Sequence, residues 1–266
     1  MQEKEFKTIR YEVKENVAVV TFNRPEVHNA FDDVMIGELA ETFDRLAAQT
    51  EVRAVVLTGE GKSFCAGADL NWMRRVKDYS YDDNLKESLE LSDMLYKAYS
   101  CPKPTIARVN GAAIGGGTGL VAVCDIAVAA RSAKFSFSEV KLGLIPACIS
   151  PYVVKKCGEG KCREFFLTGE RLSAEKALTA GLVNAVTELE TLDALVDQYL
   201  TQLISSGPSA ITTCKELLRK VPQMSYDEVK RYTAEVIAQI RVSEEGQEGM
   251  AAFLEKRKPR WDSDSG

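Results

Sequence analysis

Short apolar runs, each the length of one buried strand, alternate along this chain with stretches of helical period. RAVVLTG (53–59), PTIARVNG (104–111), CDIAVAA (124–130) and KFSFSEV (134–140) are the clearest of them. Strands alternating with helical segments imply crossover connections, so the fold class is α/β. Ahead of them, FKTIRYEV (6–13) and VAVVTFN (17–23) flank the turn signal KEN and predict an opening β-hairpin. Val34, Ile36, Leu39, Phe43 and Leu46 recur at helical spacing between Asp32 and Gln49. The polar stretch DDNLKESLELSDMLYKAY (82–99) is compatible with a further helix, ended by the breaker CPKP.

After about residue 190 the pattern changes. TLDALVDQYLTQLISS (191–206), PSAITTCKELLRKV (208–221) and SYDEVKRYTAEVIAQI (225–240) are amphipathic helices in succession. Pro208 opens the second, and the capping box of Ser225 and Glu228 opens the third. Helices without a sheet of their own must cover the main domain or a partner subunit. The chain therefore divides into a main domain, 1–200, and a helical region, 201–266.

A chain of 266 residues, 45% of them hydrophobic, is long enough for a substantial core. It has no apolar run of about 18 residues, so no membrane span is expected. Its first residues lack the apolar core of a signal peptide, which points to a soluble, cytoplasmic protein. A net charge of -5 argues against general nucleic-acid binding. The seven cysteines are scattered, form no CxxC pair and have only His28 beside them, so no metal site is expected. Buried, reduced thiols are the better reading.

Two segments offer bare backbone to a ligand. Gly115-Gly116-Gly117 precedes the helix-compatible run TGLVAV, where unpaired N–H groups favour negative charge and allow close approach. The triplet can equally be a tight turn. It lacks the Gly-Lys-Ser/Thr ending of a phosphate loop, and Asp125 comes too early for a dinucleotide fingerprint. LTGEGKSFCAGADL (57–70) places the small residues Ala66, Gly67 and Ala68 just past a strand end. If the two segments converge, they make a two-donor oxyanion hole.

FCAGADL (64–70), NGAAIGGGTGL (110–120), CDIAVAA, FSFSEVKLGLIP (135–146) and LTGERLSAEKALTAGLVNAV (167–186) together resemble the enoyl-CoA hydratase/isomerase, or crotonase, superfamily. The resemblance continues to GMAAFLEKRKPRW (249–261), while RPEVHNAFDD (24–33) and IPACISPYVV (145–154) look most like the 3-methylglutaconyl-CoA hydratase branch. It implies a crotonase-like spiral of ββα units with a helical C-terminal trimerisation region, assembled as a homotrimer or a hexamer of two trimers. It also implies an acyl-CoA thioester as substrate, with coenzyme A present only as part of it and no other cofactor. By the resemblance, the N–H groups of Ala68 and Gly116 form the oxyanion hole and Glu139 is the catalytic carboxylate. Ala66, Ala68, Asp69, Leu70, Asn71 and Gly116 line the CoA path, with Asp69 capping the next helix. Arg24, Phe253 and Lys256 meet the CoA, the last two across a subunit boundary.

One position departs from the family pattern. Many hydratases of the family carry a second glutamate where this chain has Gly119. The implied reactions are therefore hydration of an enoyl-CoA or a double-bond shift through Glu139 alone, with a non-catalytic acyl-CoA-binding relative as a third reading. Gly119 is expected to give room to a branched or charged acyl group, although a helical glycine can also serve close packing. Arg74 and Arg75 could meet a distal carboxylate or be surface charges. Ser138, Cys148 and Ser150 could orient a water, or serve packing and local backbone bonds. His28 reads as a loop histidine.

Overall fold

The computed structural model describes residues 6–263. Strands β1 (Ile9–Lys14) and β2 (Val17–Phe22) form the expected antiparallel hairpin, turning at Glu15 and Asn16 in left-handed backbone. Helix α1 (Asp33–Ala48) starts where the Asp32 carboxylate accepts the Met35 N–H. It buries Met35, Ile36, Leu39, Phe43 and Leu46, while Val34 lies outside that face.

The chain then winds in a repeating pattern. β3 (Ala54–Gly59) and β4 (Ser63–Cys65) lead into α2 (Leu70–Val76) and α3 (Tyr81–Ser100). β5 (Thr105–Val109) and β6 (Ala112–Ile114) lead into α4 (Gly116–Val123). β7 (Ile126–Ala130) and β8 (Lys134–Ser136) lead through a 3-10 turn, Ser138–Leu142, into α5 (Ser150–Thr168). β9 (Arg171–Ser173), α6 (Ala174–Thr179) and β10 (Ala185–Thr187) complete it. In each turn the first strand joins one sheet and the second joins another, which is a spiral of ββα units. The large sheet runs β1-β2-β3-β5-β7-β10, parallel from β2 onward. The small one runs β4-β6-β8-β9. Every residue of β3 is buried, as a central parallel strand covered on both faces requires.

Helix α7 (Leu192–Ile204) packs Leu192 and Val196 against Val17, Val56, Ile106 and Val128 on the large sheet. The boundary expected at residue 200 falls inside this helix, whose apolar face belongs to the sheet. The part that leaves the sheet consists of α8 (Pro208–Lys220), α9 (Tyr226–Val242) and α10 (Glu244–Glu255). Both partners of the Ser225–Glu228 capping box are in place. Lys215 Nζ ties α8 back to Asp125 at 2.5 Å and to the Lys103 carbonyl at 2.7 Å. Glu248 takes both Nη groups of Arg257, at 2.7 and 3.1 Å, which hold its carboxyl down to about 2. Leu218, Tyr226, Val242, Phe253 and Leu254 remain exposed on these helices. Among the described residues, no helix is long and apolar enough to cross a membrane.

Candidate active site

The segment after β4 lies beside the 28–31 loop as a short parallel pairing. Phe31 N–H donates to the Gly67 carbonyl at 2.8 Å, and Asp69 N–H donates to the Phe31 carbonyl at 2.9 Å. That pattern uses the groups on either side of Ala68, so the N–H of Ala68 itself points away from Phe31. It makes no backbone hydrogen bond among the described residues. Asp69 then turns the chain into α2, accepting the N–H of Asn71 at 2.7 Å and of Trp72 at 3.1 Å. Desolvation raises its pKa, but those two N–H groups and Arg24 outweigh it and hold the carboxyl below its ordinary range.

The second donor comes from the start of α4. Gly115 is the N-cap, with φ of 53°, a backbone region that suits glycine. Its N–H is used by the Ser136 carbonyl, and its own carbonyl accepts from Thr118 and Gly119. Gly116, the first helical residue, keeps one of the unpaired N–H groups of the first turn. Strands β4 and β6 pair in parallel, which brings the two segments together. Contact is close: a Cβ on Gly67 would stand 2.7 Å from the Ile114 carbonyl oxygen, and one on Gly117 2.2 Å from that of Cys65.

Glu139 arrives from the other side. KFSFSEV stays a strand only to Ser136, where β8 pairs with β6, and the 3-10 turn then carries Glu139 back toward α4. Its Oε1 lies 3.1 Å from where a Cβ on Gly115 would stand. Its Oε2 is buried without a hydrogen-bond partner. Burial raises its pKa, since no cation or donor from another residue compensates the lost water. A half-buried carboxyl beside two free N–H groups can exchange protons with a bound carbon acid or water.

Gly119 corrects an expectation. The space where its side chain would be is not left for an acyl group: a Cβ there would stand 2.1 Å from Cγ2 of Ile149 and 2.8 Å from its Cβ. Ile149, 3% exposed, packs into that space, so close packing is the reason for the glycine. The sequence contained a hint in the apolar IPACI that follows Glu139, but only the fold sets Ile149 against α4.

The remaining candidates divide. Arg24 Nη2 meets Asp69 at 2.9 Å and Asp32 at 3.1 Å, and Nη1 donates to the Ala30 carbonyl. Two carboxylates thus face one guanidinium, which braces the loop under Ala68, and a CoA phosphate would compete with both. Ala66 donates its N–H to the His28 carbonyl, while Leu70 and Asn71 are exposed on the first turn of α2. Arg74 bonds Asn71 and Arg75 pairs with Asp33, both as surface groups. His28 Nδ1 lies 3.1 Å from Ser63 Oγ, and Ser150 Oγ bonds the Ala147 carbonyl, so both have local roles. Phe253 and Lys256 sit at the end of α10, which packs on α8 and α9, and this single chain does not bring them to Glu139. One residue the sequence did not single out is Glu87 of α3, whose Oε1 accepts from Trp72 Nε1 at 3.2 Å.

The N–H groups of Ala68 and Gly116 thus lie past the ends of parallel strands, with a desolvated carboxyl beside the second segment, in a crotonase-like spiral. Comparison with known proteins identifies the family. The profile of the enoyl-CoA hydratase/isomerase family matches residues 12–264. An enoyl-CoA hydratase structure from Shewanella pealeana superposes with a TM-score of 0.94 at 40% identity, covering 97% of both chains. An enoyl-CoA hydratase/isomerase structure from Marinobacter aquaeolei gives 0.91 at 35%, covering 96% of this chain and 99% of the other. An enoyl-CoA hydratase of Alternaria alternata is 36% identical over 248 residues, 91% of this chain and 80% of the relative. The chain belongs to the enoyl-CoA hydratase/isomerase family and is an enzyme of that family.

Proposed function

We propose that this enzyme adds water reversibly to the α,β double bond of an enoyl-CoA thioester, with 3-methylglutaconyl-CoA as its branched substrate. The observation that carries the reading is the unpartnered, buried Oε2 of Glu139, set beside the free N–H groups of Ala68 and Gly116. The thioester oxygen accepts both N–H groups. As water oxygen bonds to Cβ, the double-bond electrons move onto that oxygen as an enolate. Each donor is worth about 2.7–4 kcal/mol at that stage. Glu139 takes the proton that the water loses and delivers one to Cα. Coenzyme A enters only with the substrate, and no further cofactor takes part.

A second reading is favoured by one observation: Ile149 occupies the place of the family's second acid at Gly119. Glu139 alone could then move a proton between Cα and Cγ through the same enolate, making the enzyme an isomerase. Incubation with crotonyl-CoA, 3-methylglutaconyl-CoA and a 3-enoyl-CoA, with products followed by mass spectrometry, separates the readings. Hydrated product from the first two supports hydration, and only a conjugated product from the third sinks it. The assembly we propose is a homotrimer or a dimer of trimers joined through the exposed apolar faces of α8 to α10. A reducing cytoplasm suits the thiols of Cys65, Cys124 and Cys157, which burial pushes up to about 12.

A further inference from the structure

Helix α3 turns Leu91, Met94, Leu95 and Ala98 toward the core. Glu87 continues that stripe by one turn toward the helix N-terminus. A carboxylate on an apolar stripe needs partners. Glu87 has one, the Trp72 indole N–H on Oε1. Its Oε2 is buried with none. Among the described residues, only the Oε2 of Glu139 shares that condition.

Two chains of contact lead from Glu87 and its neighbour Ser88 to the glycines of α4. The Trp72 ring lies 5.9 Å from the ring of Phe31. Phe31 in turn covers Gly116, where a Cβ would stand 2.4 Å from its Cζ. From the adjoining residue, the Ser88 carbonyl accepts a bond from Cys148 Sγ at 3.7 Å, and Cys148 is followed by Ile149, seated on Gly119. Glu87 is therefore linked to Phe31 and Gly116 through Trp72, and to Cys148 and Ile149 through its chain neighbour Ser88.

We propose that Glu87 is the second acid of this site, supplied from α3 in place of one on α4, and that its Oε2 holds the water that adds to Cβ. The proposal rests on the hydratase reading. One water O–H stays intact and donates to Glu87 Oε2. The other breaks: its proton passes to Glu139 and the oxygen forms the bond to Cβ. The π electrons become the enolate held by Ala68 and Gly116, and Glu139 returns the proton to Cα to give the 3-hydroxyacyl-CoA. Glu87 accepts the water's hydrogen bond and takes no proton in the step, and Trp72 acts as a positioning residue by fixing Oε1.

The test separates water addition from proton transfer. Butyryl-CoA in D2O exchanges its Cα proton through Glu139 and the oxyanion hole, with no water to add. Glu87→Gln keeps the size and the Trp72 bond, and should lower crotonyl-CoA hydration about 10²-fold. Exchange should change by less than about threefold. Glu139→Gln should lose both. In Glu87→Ala, added formate should restore part of the hydration, which a purely structural role would not allow. That rescue carries the test if Glu87→Gln does not fold, and its failure would then overturn the proposal. Undiminished hydration in Glu87→Gln, or exchange falling in parallel with hydration, also overturns the role of Glu87 while leaving the hydratase reading intact. A wild-type protein that exchanges the proton but hydrates none of the enoyl-CoA probes overturns the hydratase reading, and the role of Glu87 with it.

Discussion

Glu139 is held where burial disfavours its charge, and that has consequences for both rate and stability. Above the ordinary glutamate value of about 4.3, the unfolded chain gives up this proton while the folded protein retains it. Stability therefore falls as pH rises from there through the raised folded value, and stays lower above it. Glu139→Gln should melt higher than the wild type at neutral pH, with the difference closing in acid. Its turnover should fall roughly 10²-fold or more. Thermal melts at two pH values and a steady-state assay check both outcomes. Equal melting at neutral pH would mean that the desolvated charge is relieved by something else. Gly119 makes a second case at this scale. Gly119→Ala pushes a methyl into Ile149 and should cost about 1–3 kcal/mol. On an Ile149→Ala background the same change should cost much less, so a denaturant double-mutant cycle reads the contact directly.

Among the elements, the site depends on how β4, β6 and β8 pass the chain to the loops and helices after them. Each ends in the small sheet, and the residues just beyond supply Ala68, Gly116 and Glu139 in turn. The hairpin, α1 and the buried strands were legible because period and composition encode them locally. Two details were not. Met35 takes a place on the buried face of α1 and Val34 does not, because the helix settles at the rotation that packing chiefly against α3 dictates. Strand β8 stops before Glu139, since only Phe135 and Ser136 have partners on β6. The contact of Phe31 with Gly116 also bears on how the donor is tested. Gly116→Pro removes the N–H but drives its ring into Phe31. The informative pair is Gly116→Pro against Gly116→Ala, both on Phe31→Ala. Their kcat values should differ by about 10²–10³-fold. Equal values in folded proteins would remove Gly116 from the oxyanion hole.

For the whole molecule, α8 to α10 are tied to the main body by Lys215, and Arg53 donates to the Ile204 and Ser206 carbonyls just ahead of α8. Even so, Tyr226, Val242, Phe253 and Leu254 stay largely in water. Large apolar side chains left exposed on helices favour association with a second surface. Closed symmetry makes a discrete trimer or hexamer the expected result. Light scattering at micromolar concentration should return three or six times 29.3 kDa, and a monomer there would rule out the assembly and the contribution of Phe253 and Lys256 across a subunit boundary.

The order of the elements was set by local sequence. Alternating apolar runs and helical periods imply crossovers, and the structure lays the crossed-over strands parallel. The glycine-rich segments around Ala68 and Gly116 are visible one segment at a time, whereas Glu139, an acid after a strand, stood out only through its place in the family motif. The tertiary structure decided what depends on two distant segments meeting. Arg24 is taken up by Asp32 and Asp69, so its charge turns inward. Ile149 seals Gly119, and Glu87 and Trp72 meet across α2 and α3. A packing contact leaves no periodic trace in either partner. Such pairings are fixed only when the spiral closes and each side chain must take the space its neighbours leave.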